Sequence, residues 1–166
     1  MTRHDTQRNP SPVLTHESLG PMRVPTFDDV RSASERISAY VVRTPLVRSP
    51  VLDHIAGAPV WLKAENLQVT GSFKARGAFN AVLRLSEAER QRGVVAYSTG
   101  NHGQAIAWAA RCLGVPATIV MPIDAPRNKV DRALAHGARV VHYDRRHESR
   151  EAIGMRLLQD LSLIHI

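Results

Sequence analysis

The stretch Val94-Val95-Ala96-Tyr97-Ser98-Thr99-Gly100-Asn101-His102-Gly103-Gln104 decides the fold class. Val94 to Ser98 is a short, mostly apolar run of strand length, and Gly100 punctuates it. Asn101 to Leu113 then reads as a helix, ended by Gly114. The same unit repeats downstream. Ala117 to Met121 reads as a strand, Asp124 caps a helix running to His136, and Gly137 ends it. Arg139 to Tyr143 reads as a third strand and Glu148 to Asp160 as a third helix. The strands start about 22 residues apart, the period of a compact βα unit. Three such units predict an α/β fold with a parallel sheet, helices packed on it and right-handed connections.

Upstream the pattern is less regular. Residues 1–24 show no periodicity and read as a disordered leader. Thr26 has the character of an N-cap, with Asp28 and Asp29 in the first turn, where carboxylates favour a helix start. Val30, Ala33, Ile37 and Tyr40 supply the stripe of that helix. Leu46-Val47 is extended between Pro45 and Pro50, and Val51 to Ile55 forms a short helix closed by Gly57. Val60 to Ala64 reads as a strand, apolar on both faces at its start. Ser72 then caps a helix whose buried face carries Phe73, Gly77, Ala81 and Leu85, with Ala78 and Val82 beside them. Ser86 and Glu89 have capping-box spacing and open a short helix that Gly93 ends. Residues 81–160 therefore form a small βα domain, and residues 25–80 part of a larger, incomplete one. Residues 161–166 read as a truncated strand start or as an artefactual end.

Composition narrows the function classes. The chain has 166 residues, 43% of them hydrophobic, enough for a sizeable core. No apolar run is long enough to span a bilayer, and the first residues lack the apolar centre of a signal peptide. A cytoplasmic protein with no membrane partner is the expectation. The formal net charge of +7 raises nucleic acid as a partner, but the arginines are spread along the chain without aromatic interleaving, so none is expected. Cys112 is the lone cysteine and reads as a small core residue on a helix. The histidines form no HExxH pattern and there is no CxxC, so no metal site is expected. GxSxG, GxGxxG and the Walker pattern are all absent.

Two stretches carry chemistry. The chain has only three lysines, Lys63, Lys74 and Lys129, against nineteen arginines, which are never deprotonated and cannot act as amine nucleophiles. Lys74 follows a strand and a glycine turn at the start of a helix. The positive end of the helix dipole and burial against Phe73 would both lower the pKa of its amine, as covalent catalysis requires. By spacing alone, Lys74 also reads as a surface lysine. The second stretch is Ser98 to Gln104, at the carboxyl end of a parallel strand, where open α/β sheets bind ligands. Gly100 and Gly103 allow close approach, Ser98 and Thr99 add hydroxyls, and the helix start suits a carboxylate or phosphate. By itself it also reads as an ordinary βα turn.

The two stretches together resemble a known family. Glu65-Asn66-Leu67-Gln68 followed by Thr70-Gly71-Ser72-Phe73-Lys74-Ala75-Arg76-Gly77-Ala78 resembles the cofactor-lysine segment of fold type II pyridoxal-phosphate enzymes, in the threonine dehydratase and serine racemase branch. Ser98 to Ala105 is similar to that family's substrate loop. Arg43-Thr44-Pro45-Leu46, Met121-Pro122, Asp124-Ala125-Pro126 with Lys129, and Val140 to Arg145 are similar to further family segments. Phe73, Gly77 and His102 favour this branch over the cysteine-synthase one.

The resemblance implies the tryptophan synthase β-like architecture and pyridoxal 5′-phosphate as cofactor. It implies that Lys74 forms the Schiff base, that Phe73 packs beside the cofactor ring and that Asn101 bonds the ring hydroxyl. Ser98, Thr99, Gly100, Asn101 and His102 would bind the substrate. The implied reaction is β-elimination of L-threonine or L-serine to a 2-oxo acid and ammonia, by a homo-oligomer. Serine racemases carry a serine where this chain has Thr99, which favours elimination over racemisation. A racemase or another hydroxy-amino-acid dehydratase is the alternative within the family, and a non-catalytic basic α/β binding module the alternative outside it. The family's phosphate cup lies beyond residue 166, so residues 1–166 alone are expected to be inactive.

Overall fold

The computed structural model describes residues 24–161 and 163–166. The leader expected at 1–24 lies almost wholly outside them. The first helix, α1, spans Phe27–Ile37 behind Thr26, whose side chain accepts from the Asp29 amide while Asp29 reaches back to the Thr26 amide. β1 (Leu46–Arg48) and β2 (Trp61–Lys63) pair antiparallel around the short helix α2 (Pro50–Ala56). Gly57 ends α2 in the left-handed conformation, as its position suggests. All six strand residues of this hairpin are exposed, although the start of β2 is apolar on both faces.

A 3₁₀ turn at Glu65–Leu67 leads to α3 (Lys74–Leu83). α3 differs from expectation in two ways. Its N-cap is Phe73 rather than Ser72, and no side chain caps it. Its buried face is Ala75, Ala78, Phe79 and Val82, while Phe73 is 59% exposed. The face is turned by the largest side chain: Phe79 enters the core and stacks on Tyr40, ring centroids 5.0 Å apart. α4 (Glu87–Arg92) follows with its capping box from Ser86 intact.

The repeating units then appear as read. β3 (Val94–Tyr97), α5 (Asn101–Cys112), β4 (Ala117–Pro122), α6 (Arg127–Ala135), β5 (Arg139–Tyr143), α7 (Arg150–Leu161) and β6 (Ile164–His165) complete the chain. The sheet order is β5-β4-β3-β6, all parallel. α6 starts later than expected, behind Pro126, and Asp124 does not cap it but pairs with Arg145 at 2.8 Å. Pro126 disfavours helical backbone at Ala125, so the helix cannot begin from Asp124.

The sheet is covered on both faces. Val94, Ala96, Ile119 and Met121 point to one side, where they join Ala78, Phe79 and Val82 of α3 and the alanines of α5. Val95 and Val120 point to the other, where Ile153 of α7 covers them. The alternation is the period of two expected of strands buried on both faces. α3 spans residue 80 and shares the core of the sheet. Cys112 is exposed at the last position of α5 rather than in the core. Among the described residues no helix is long and apolar enough to cross a membrane.

Candidate active site

The loop after β3 is shaped by one close approach. Gly103, in the first turn of α5, lies so near the end of β3 that a Cβ there would stand 2.6 Å from the Ser98 carbonyl oxygen and 3.1 Å from Ile119 Cγ2. Only a glycine lets the helix start this close to the strand. The loop is braced internally by the Gly100 amide, which donates to Ser98 Oγ at 3.1 Å. Gly100 is the N-cap of α5 and no side chain caps the helix. The first-turn N–H groups and the positive end of the helix dipole thus form an anion-binding position at Asn101–Gly103. Asn101 is exposed, His102 is half-buried with Nε2 3.3 Å from the Ile166 carbonyl oxygen, and the buried Gln104 Oε1 has no partner among the described residues.

A cavity of about 160 Å³ opens at the carboxyl ends of β3, β4 and β5. Its lining includes Tyr97, Ser98, Thr99, Tyr143, Arg145 and Arg150. Arg150 Nε contacts Glu151 at 2.6 Å, and its guanidinium carbon lies 5.9 Å from the Tyr97 ring centroid. One carboxylate occupies only part of each guanidinium's five donors, so both arginines keep N–H groups for a ligand. Neither Arg145, which ends one of the family-like segments, nor Arg150 was given a site role from sequence. They lie five residues apart on the β5–α7 connection, and the fold sets both beside the ends of β3 and β4.

Lys74 stands at the first position of α3, exposed, with Nζ 5.0 Å from the Phe73 ring centroid. The burial expected around it is not provided by the described residues. Its amine has no hydrogen bond or ion pair among them, whereas Lys63 donates to the Thr44 carbonyl. Two buried hydroxyls in the preceding turn, Thr70 Oγ1 and Ser72 Oγ, are also without partners among the described residues. A free amine, unused hydroxyls and an uncapped helix start fit a cofactor that carries an aldehyde and anionic groups. Ser98 and Thr99 line the cavity, while Phe73, Lys74, Gly100, Asn101 and His102 do not.

Behind Lys74 lies a polar network that the sequence reading did not pick out. Arg76 Nε and Nη2 grip both carboxylate oxygens of Glu65, at 3.0 and 2.7 Å. The Thr44 hydroxyl donates to Glu65 Oε1 at 2.5 Å. The Gln68 amide pairs with the Val42 backbone in both directions, at 2.8 and 2.9 Å. The hydrogen bond from Arg76, opposed by burial and aided by the Thr44 hydroxyl and the Arg76 charge, lowers the Glu65 carboxyl from 4.5 to about 2.

Comparison with known proteins agrees with this geometry. A family model described as "Pyridoxal-phosphate dependent enzyme" matches residues 37–166. An L-threo-3-hydroxyaspartate ammonia-lyase of a Pseudomonas species is 54% identical over 138 residues, covering 83% of this chain and 43% of the relative. The L-threonine ammonia-lyase of Thermotoga maritima is 50% identical over 116 residues, covering 70% of this chain and 29% of the relative. The crystal structure of serine racemase from Dictyostelium discoideum superposes with a TM-score of 0.80 at 39% identity, over 85% of this chain and 46% of that one. The chain thus spans less than half the length of each of these proteins. The matched range takes in the lysine segment, the loop after β3 and the parallel sheet, and the chain belongs to the family of pyridoxal-phosphate dependent enzymes.

Proposed function

We propose that the full-length protein is a lyase that eliminates water from a β-hydroxy-α-amino acid, with a second carboxylate on the preferred substrate. The observation that carries this is the cavity where Ser98 and Thr99 face Arg145 and Arg150. Threonine and serine have no group for two guanidinium ions; 3-hydroxyaspartate has one. The 54% identity to an L-threo-3-hydroxyaspartate ammonia-lyase supports the same choice.

When bound, pyridoxal phosphate supplies an aldehyde for an amine and a ring that withdraws electrons from the substrate's α-carbon. Lys74 presents that amine and takes the proton from the α-carbon. Phe73 offers an apolar surface beside the ring, and Asn101 a donor for its hydroxyl. Ser98, Asn101 and the N–H group at His102 hold the α-carboxylate, oriented by the start of α5. Arg145 and Arg150 hold the distal carboxylate, and Thr99 bounds the space between. The products are a 2-oxo acid and ammonia.

The test is to incubate the full-length protein and cofactor with L-threo-3-hydroxyaspartate, L-threonine and L-serine, following 2-oxo acid and ammonia. Arg150→Met should lower kcat/KM for the dicarboxylate by about tenfold or more, and less for threonine, because it removes a charged hydrogen bond. Lys74→Ala should abolish turnover of all three. Equal turnover of all three substrates by the wild type would refute the dicarboxylate preference. The resemblance to serine racemase keeps one further measurement necessary: appearance of a D-amino acid without 2-oxo acid would replace elimination by racemisation.

A further inference from the structure

We propose that Glu65 and Arg76 are positioning residues for Lys74, fixing the direction of its amine by tying the first turn of α3 to residues 42–44. The proposal rests on the reading of Lys74 as the cofactor-binding amine. No side chain caps that turn: its own backbone bonds, from the Ala75 and Arg76 amides to the Ser72 and Phe73 carbonyls, close it without tying it to residues 42–44, Gly71 turns the chain before it at φ +70°, and Lys74 makes no polar contact of its own among the described residues. Its anchor is Arg76. Residues two apart on a helix project about 200° from one another, so Arg76 grips from behind and leaves the lysine's side open.

The grip is strong by composition. The two-pronged contact to Glu65 is charge-assisted, with the side chains only 33% and 16% exposed. Arg76 Nη2 also reaches the Val42 carbonyl at 3.2 Å and the Thr44 hydroxyl at 3.4 Å. The other end of the loop is held at the same place, because Gln68 pairs with the Val42 backbone. The segment carrying Thr70, Ser72 and Lys74 is therefore clamped at both ends onto residues 42–44. A contact made only for stability has no need to converge on one short segment from either side of the lysine.

The experiment mixes full-length protein with pyridoxal phosphate, quenches with borohydride at intervals and quantifies labelled lysine by peptide mass. In the wild type, Lys74 takes the label. Glu65→Gln and Arg76→Lys, the latter keeping charge but losing the fork, should slow labelling of Lys74 by about tenfold. Thr44→Val, which keeps the shape, should slow it about threefold, and carries the test if either of the others fails to fold. Thr26→Ala, which weakens the distant cap of α1, serves as the stability control and should label at the wild-type rate. Slower labelling in the network variants, with the control unchanged, supports the proposal. Wild-type labelling in folded network variants overturns it alone. Absence of label on Lys74 in the wild type overturns the reading of the lysine, and this proposal with it.

Discussion

At Gly103 a methyl group has no room, and the obstacle is backbone. Gly103→Ala would place carbon 2.6 Å from the Ser98 oxygen, so the helix start must move away from the loop. The expected result is a loss of about 1–3 kcal/mol in urea unfolding, with a raised KM from the displaced anion position. Glu65 gives a pH signature. Its carboxyl is depressed to about 2 in the fold, so its contribution is complete above the ordinary value of 4.5 and is lost as pH falls through about 2. The stability gap between wild type and Glu65→Gln should therefore narrow between about pH 5 and about pH 2.5, read by denaturant titration. Lys74 and the Ser98–His102 loop could be proposed from sequence because each lies in one contiguous stretch. Glu65 and Arg76 sat in plain view within the first of these. Their pairing was not visible, because it depends on how the intervening turn folds back.

At the scale of the element, α5 packs through small side chains. Ala105, Ala107, Ala109 and Ala110 are all buried, at 1% exposure or less, between α3 and the sheet. Ala109→Leu should cost about 1–3 kcal/mol by overpacking, measured as a lowered thermal midpoint. Elements whose signals are local were readable from sequence. Thr26 and Ser86 both cap as their spacing indicates, since a capping box involves only four consecutive residues. The rotation of α3 was not readable, because it depends on long-range contacts such as that of Phe79 with Tyr40. The exposure of the β1–β2 hairpin was likewise hidden, since its residues are as apolar as those of a buried strand.

Across the whole molecule, the parallel sheet followed from the βα repeat that runs from Val94 to Asp160. Which edge the last strand joins did not, because strand order is a long-range property. The hairpin leaves an optical mark: Trp61 is 58% exposed, while Trp108 is half-buried and lies against His136 at 5.0 Å. In residues 1–166, Trp61→Phe should remove the larger share of iodide-quenchable fluorescence, and Trp108→Phe the smaller.

The pairing of β6 with β3 also has a consequence in time. Val94 meets Ala117 through one short crossover, but meets Ile164 only after the whole intervening chain has been laid down. Contacts so distant along the chain form late, because the loop between them must close first. This seam holds by the amides of Ile164 and Ile166, which donate to Gly93 and Val95. In heavy water those two protons should exchange before the amides between β3 and β4, so the last seam to zip is also the first to breathe.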